Sequence, residues 1–273
     1  MKRTVTTVAL HALLVFGVVA TLAPLLWMLS ASLMPSGEAT AVPPRLLPSR
    51  PTLEHYRALF TRMNLARHLG ASVLVSSVTT AISLVLNSMA GYAFAKLRFP
   101  GRDRIFAMLV AALVIPAQVG MLPLFLLLKE IGLVNTYFGV VVPGMASVFG
   151  IFLVRQYALS IPDTLLDAAR IDGAGELRIY AELVVPFCRP VLVTLGVFTF
   201  LGTWNDFLWP LIILADDDLY TLPVALANLL GEHVQDTELM MAGSVLTVLP
   251  VLGLFVALQR YYIAGIMSGA LKD

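Results

Sequence analysis

The residues whose types and spacing invite a chemical reading are Asp167-Ala168-Ala169-Arg170-Ile171-Asp172-Gly173-Ala174, which lie between the fourth and fifth of six very apolar runs. Two alanines keep one surface shallow, while Asp167, Arg170 and Asp172 offer charge-assisted hydrogen bonds to a partner. A shallow, charged surface of this kind suits docking to a partner, and a solvated helical hairpin that meets no partner is the other reading of the pattern. Elsewhere the ingredients of catalysis are missing. His11, His55, His68 and His233 are scattered and give neither HExxH nor paired-ligand spacing, so no metal site is expected. Cys188 is the sole cysteine and reads as a small packing residue. There is no GxxxxGK[ST] phosphate loop, so the chain is not expected to be an enzyme or to bind a cofactor of its own.

The surrounding composition says what must position such a segment. Hydrophobic residues make up 59% and charged residues 13% of the 273-residue chain, with a mean hydropathy of +0.87. Soluble domains are about 45–50% apolar and about 25% charged, so the bilayer is the natural solvent here. A net charge of +1 excludes the dominant basic patch of a nucleic-acid binder. Crossing a hydrocarbon core of about 30 Å takes about 20 apolar residues. The runs predict an all-α membrane protein with six transmembrane helices at about 5–33, 69–95, 105–128, 131–154, 190–215 and 239–259, forming a single domain over 1–273. The first run is longer than the core of a cleavable signal and is expected to be retained.

Lys and Arg accumulate in short cytoplasmic loops. Lys96, Arg98, Arg102 and Arg104 crowd one short connection, whereas 216–238 has no Lys or Arg, so the first is expected inside and the second outside. Both termini then face the cytoplasm. Arg45, Arg50, Arg57, Arg62 and Arg67 in the external loop 35–68 run against the rule. Prolines predict an extended start for that loop, followed by a short surface helix near 52–63.

The same orientation makes 155–186 the longest cytoplasmic loop. Ser160 is expected to cap a short helix ending near Asp172, with Pro162 tolerated in its first turn. Gly173 supplies a residue able to take positive φ for a sharp turn. A second helix is expected from about Gly175 to Val184, stopped by Pro186 before the fifth crossing.

At these residues the chain resembles a known family. Asp167 to Pro190 is similar to the EAA loop of membrane subunits of bacterial ABC importers, whose pattern is E-A-A-x-x-D-G-A followed by a helix and a proline. Ala168, Ala169, Asp172, Gly173, Ala174 and Pro186 match, and Asp167 stands where the family has glutamate. Tyr92 to Gly101, Trp204-Asn205-Asp206-Phe207-Leu208-Trp209-Pro210 and the stretch from Gln259 to Lys272 are similar to the maltose-permease-like, carbohydrate-uptake group.

The resemblance implies a type I importer permease fold in the bacterial inner membrane, carrying a sugar or oligosaccharide. Its implied partners are a second permease subunit, two cytoplasmic ATPases that bind ATP and Mg, an extracytoplasmic solute-binding protein and the lipid bilayer. Nucleic acid is not among them. It also implies that Asp167, Ala168, Ala169, Arg170, Asp172, Gly173 and Ala174 form an ATPase-coupling helix pair. The tail 260–273 would reach the ATPases through Gly265, Gly269 and Lys272.

Polar groups inside the apolar runs are candidates for the translocation pathway. Asp206 is the one carboxylate within the runs, roughly 24 Å along the helix from Pro190. Lining an outer vestibule and holding helices together are both open to it, and Asn205 travels with it. Asn87 and Gln118 fit interhelical hydrogen bonding or sugar contact. Trp204 and Trp209 have faces for stacking on sugar rings, Trp209 also suiting an interfacial anchor. Pro116, Pro123 and Pro250 mark expected kinks. A secondary transporter would show inverted repeats and midplane coupling carboxylates, which are not evident. An ABC permease for a non-sugar solute is the nearer alternative.

Overall fold

A backbone in hydrocarbon must satisfy its own N–H and C=O groups, and the apolar runs accordingly fold as helices. A computed structural model describes residues 2–43, 45–232 and 236–270. Among these no strand occurs. In chain order come α1 (Lys2–Ala31), α2 (Glu54–Arg62), α3 (Leu65–Lys96), α4 (Arg102–Ala112), α5 (Met121–Glu130), α6 (Tyr137–Val141) and α7 (Val148–Ala158). They are followed by α8 (Asp163–Ile171), α9 (Glu176–Ile179), α10 (Val185–Phe187), α11 (Arg189–Trp204), α12 (Leu208–Ile213), α13 (Leu222–Glu232) and α14 (Thr237–Ala270).

Three stretches, in α1, α3 and α14, are long and apolar enough to cross a membrane, and six spans result if each of three bent helix pairs counts as one. The bends are 98° between Arg102–Ala112 and Ala117–Glu130, 42° between Tyr137–Gly144 and Val148–Ala158, and 81° between Glu176–Phe187 and Arg189–Trp204. Local chemistry explains them. Pro116 follows α4 and disfavours helix at the residue before it. Ser147 is extended, and its hydroxyl accepts the Gly150 N–H, restarting the helix as α7. The other two prolines behave differently from expectation. Pro123 sits in the first turn of α5, where a missing N–H costs nothing, and Pro250 lies inside α14 without ending it.

The single domain expected from the sequence is divided into two compact units, Met1–Ala66 with Ala225–Leu252, and Arg67–Val224 with Gly253–Asp273. In the first unit Ala31, Met34 and Ala39 pack with Trp27 and Met241. The buried Glu238 accepts the Ala39 N–H at 2.7 Å, and His55 Nε2 lies 2.9 Å from the Met34 carbonyl. The helix expected near 52–63 is α2, which buries His55 and Leu59. Two arginines of the 35–68 stretch that ran against the charge rule have acidic partners. Arg45 pairs with Glu38 at 3.0 Å and, in the second unit, Arg67 pairs with Asp218 at 2.7 Å.

Apolar clusters of described residues hold the second unit together. One gathers Val75, Leu128, Val140, Val141, Trp209, Ile213 and Leu214. Trp209 is buried within it and donates its indole N–H to the Gly139 carbonyl at 3.1 Å, so the interfacial anchor expected there is instead a core residue. Another cluster underlies the 159–188 loop. Along the seam of α3 and α7 the backbones approach closely, since a Cβ on Gly91 would sit 2.8 Å from Val154 and 3.0 Å from the Arg155 nitrogen. The stretch 216–238, expected as a loop, carries α13.

Candidate functional site

Ala158, Leu159 and Ser160 close α7 rather than open α8. The Ser160 hydroxyl donates back to the Tyr157 carbonyl at 2.7 Å, and the residue preceding α8 is Pro162 in extended geometry. Ser160 is therefore not the cap expected of it. Pro162 supplies a fixed φ for entry into the helix, with Asp163 in the first turn facing the positive end of the dipole.

The end of α8 follows the sequence reading. Gly173 has φ +82, Ala174 N–H donates to the Ala169 carbonyl at 2.9 Å, and Gly173 N–H to the Arg170 carbonyl at 3.0 Å. These two bonds make a Schellman motif with Gly173 at the left-handed position. Gly175 then leads into α9. The second helix does not stop at Pro186. A π turn over Tyr180–Val184 rearranges the hydrogen bonds where proline lacks an N–H, and helix continues through Phe187.

The loop has a buried underside and an open top. Leu166, Ile179, Val184 and Cys188 pack with Tyr92, Ala95, Ala158, Ile161 and Val191, joined by Ala169 and Ala174 at the rim. On the top, Asp167, Ala168, Arg170, Asp172 and Gly173 are exposed, flanked by Ile171 at 86% and Leu177 at 71% exposure. Arg170 is the hub of the polar groups. Its Nη1 donates to Asp167 Oδ1 at 2.8 Å and its Nε to Glu176 Oε1 at 2.8 Å, and the bond to Glu176 above all holds the guanidinium charged.

Lys96, at the end of α3, donates to the Ile161 carbonyl and to Asp163 Oδ1, both at 2.6 Å. That hydrogen bond and the ammonium charge hold the Asp163 carboxyl below its ordinary range. One turn earlier, Tyr92 donates its hydroxyl to Glu176 Oε2 at 2.6 Å. Arg155 Nε donates to the Phe94 carbonyl at 3.2 Å, and its guanidinium stacks over Phe106 at 4.1 Å. Tyr92, Lys96 and Glu176 were not among the expected site residues. Their pairings span 84 and 67 positions and leave no local pattern.

The candidate pathway residues fall in unlike surroundings. Asn87 is fully buried, accepts the Ser147 N–H at 2.9 Å and donates to Ser83 Oγ at 2.7 Å, which makes it an interhelical partner. Gln118 is exposed on the 3-10 turn before α5. Trp204 is fully buried and stacked on Phe200 with 5.9 Å between ring centroids, so its face is not free for a sugar. Asn205 is exposed and donates to the Leu201 carbonyl at 2.9 Å. Asp206 is half-buried and accepts the Trp209 N–H at 3.4 Å just before α12. Gly265 and Gly269 lie in the helical backbone of α14, and Lys272 lies outside the described residues.

The family model of the binding-protein-dependent transport system inner membrane component matches residues 87–267 of this chain, which takes in the whole α8–α9 loop. The chain belongs to this family. Among its relatives, the arabinooligosaccharides transport system permease protein of Halalkalibacterium halodurans is 40% identical over 252 residues, covering 91% of this chain and 90% of the relative. The lactose transport system permease protein of Rhizobium radiobacter is 36% identical over 201 residues, covering 74% and 73%. The fold is shared with a crystal structure of a bacterial ABC transporter involved in the import of the acidic polysaccharide alginate, at a TM-score of 0.84 and 23% identity over 96% of this chain and 98% of that one. This permease is an inner-membrane transport component, and its loop of small, acidic and glycine residues lies inside the region that defines the family.

Proposed function

We propose that this permease carries a sugar or oligosaccharide inward across the cytoplasmic membrane and is driven through the α8–α9 loop by ATPase subunits that bind ATP and Mg. The observation that carries the reading is the build of the loop. Ile171 and Leu177, 86% and 71% exposed, flank the Gly173 turn while the residues beneath them are sealed in an apolar cluster. Water gains nothing from two bare aliphatic side chains on a rigid knob, whereas burial in a protein cleft stabilises each by about 1.5–3 kcal/mol. Asp167, Ala168, Ala169, Arg170, Asp172, Gly173 and Ala174 form the rest of the docking face. The relatives named for arabinooligosaccharides and lactose support a sugar as cargo.

An orientation with both termini and the loop in the cytoplasm is supported by the cluster of Lys96, Arg98, Arg102 and Arg104 against the Lys- and Arg-free stretch 216–238. The complete importer then needs a companion permease, two ATPases and an extracytoplasmic binding protein. Reconstitution of these parts in proteoliposomes tests the reading. ATP-dependent uptake of an oligosaccharide is expected, and Ile171→Asp, which places a charge in the docked cleft, is expected to cut uptake at least tenfold and to release the ATPase during purification. Uptake confined to non-sugar solutes would remove the assigned cargo, and an Ile171→Asp complex that stays assembled and active would remove the docking face.

A further inference from the structure

The loop continues directly into α7 and α11, and α3, which is remote from it in sequence, grips it at two further points. Tyr92 and Lys96 are four residues apart and project from one side of α3. Tyr92 is 3% exposed, and its hydroxyl holds Glu176, the first residue of α9, at 2.6 Å. Lys96, whose side chain is 7% exposed, holds the Ile161 carbonyl and Asp163, the first residue of α8, at 2.6 Å. Between these points α8 and α9 are locked to each other by the Schellman bonds at Gly173 and by Arg170 donating to Glu176. A body held at one point pivots, but a body held at two points carries its holder with it.

Further contacts run the same way. The Tyr92 and Tyr180 rings lie 6.2 Å apart, and the Tyr180 hydroxyl meets Ser88 Oγ at 2.6 Å, one turn further along α3. The polar line Asp167–Arg170–Glu176–Tyr92 therefore leads from the exposed face of the loop to the buried side of α3 without a break. Each link is charge-assisted or anchored in the apolar cluster, which favours rigid over slipping motion.

From this geometry we infer that Tyr92 and Lys96 are the positioning residues that convert movement of the docked loop into movement of α3. The inference rests on the docking reading of the loop and is separable from it. The experiment uses the reconstituted importer with the sugar it transports and measures uptake, ATP hydrolysis and ATPase retention together, for Tyr92→Phe, Lys96→Met and the pair.

Tyr92→Phe keeps the ring in its apolar seat and removes only the hydroxyl. It is expected to leave the ATPase bound and the thermal midpoint within a few degrees, yet lower the sugar carried per ATP at least threefold. Lys96→Met keeps the stem and is expected to act alike, and the pair to exceed either. In a Glu176→Ala background Tyr92→Phe should add nothing, because its partner is already gone. Unchanged sugar per ATP in both single variants, or uptake and hydrolysis falling in proportion, would overturn the inference. Loss of the docking reading shows separately, as retention of the ATPase by Ile171→Asp.

Discussion

Gly173→Pro is expected to abolish ATP-coupled uptake, while Gly173→Ala at the same site should leave a large part of it. The difference is a matter of backbone geometry. Gly173 sits at φ +82, and a Cβ built there meets nothing within 4 Å. Alanine therefore suffers only the left-handed penalty of about 1–2 kcal/mol. Proline cannot reach that φ at all, being fixed near −65°. It also deletes the N–H that donates to the Arg170 carbonyl at 3.0 Å. Its ring further disfavours Asp172, whose φ of −73 and ψ of 3 lie outside the extended region required before proline.

With the turn lost, the Ala174–Ala169 bond and the Arg170–Glu176 ion pair lose their registry, and Ile171 and Leu177 no longer flank a fixed turn. The cost exceeds about 3 kcal/mol locally. Uptake at background level with the permease still inserted in the membrane is the expected measurement. Wild-type uptake by Gly173→Pro would show that the turn is not needed for coupling. Near-total loss with Gly173→Ala would show that something other than φ governs the site.

The turn was legible because its cause is local. A left-handed residue after a helix asks for glycine, and the asparagine-free, alanine-rich run before Gly173 offers no other place for the chain to reverse. The apolar runs were legible for the same reason, since charge-free length is a property of consecutive residues. The bend at Pro116 was legible from its proline, but the break after Trp204 was not. Hydropathy counts apolar residues without regard to direction, so 190–215 read as one span where α11 ends at Trp204 and α12 begins at Leu208. The helix α13 escaped notice because absence of Lys and Arg in 216–238 was used for orientation, although Pro223 followed by apolar helix formers signals a first turn.

The polar residues were harder still. Trp204 drew attention as a pathway candidate by type but is sealed against Phe200, while Asp206 spends one oxygen on the Trp209 N–H at the entry to α12. Lys96 was read as part of a basic loop that sets topology. Its stem is buried and its ammonium closes the carbonyl end of α7, a role visible only once residues 159 to 163 are folded beneath it. What a single sequence withholds here is the choice of partner across long separations.

Asn87 supplies the second large effect, and it separates a framework residue from a sugar ligand. Its amide oxygen accepts the N–H of Ser147, the residue that caps α7, and its nitrogen donates to Ser83. Ser147 in turn accepts the Gly150 N–H, so one side chain of α3 fixes where α7 begins. Asn87→Leu leaves the Ser147 donor without that acceptor in a buried seam and adds bulk beside Gly150, where a Cβ would already lie 2.8 Å from the Asn87 amide. An orphaned buried donor costs about 1–3 kcal/mol, and overpacking adds about 1–3 kcal/mol. Asn87→Leu should therefore lower thermal stability of the purified permease by several degrees or prevent its insertion.

The geometry also fixes how two milder changes combine. Gly150→Ala in the native background forces the new methyl against both the Asn87 amide and Ser147 Oγ at 2.7 Å. In an Asn87→Ala background the first obstacle is absent. The double variant should be less destabilised than the sum of the single ones by about 0.5–3 kcal/mol, the range for residues in contact. A ligand role for Asn87 demands the opposite pattern. Its variants would then raise the KM for sugar with stability unchanged, and Gly150→Ala would add independently of them.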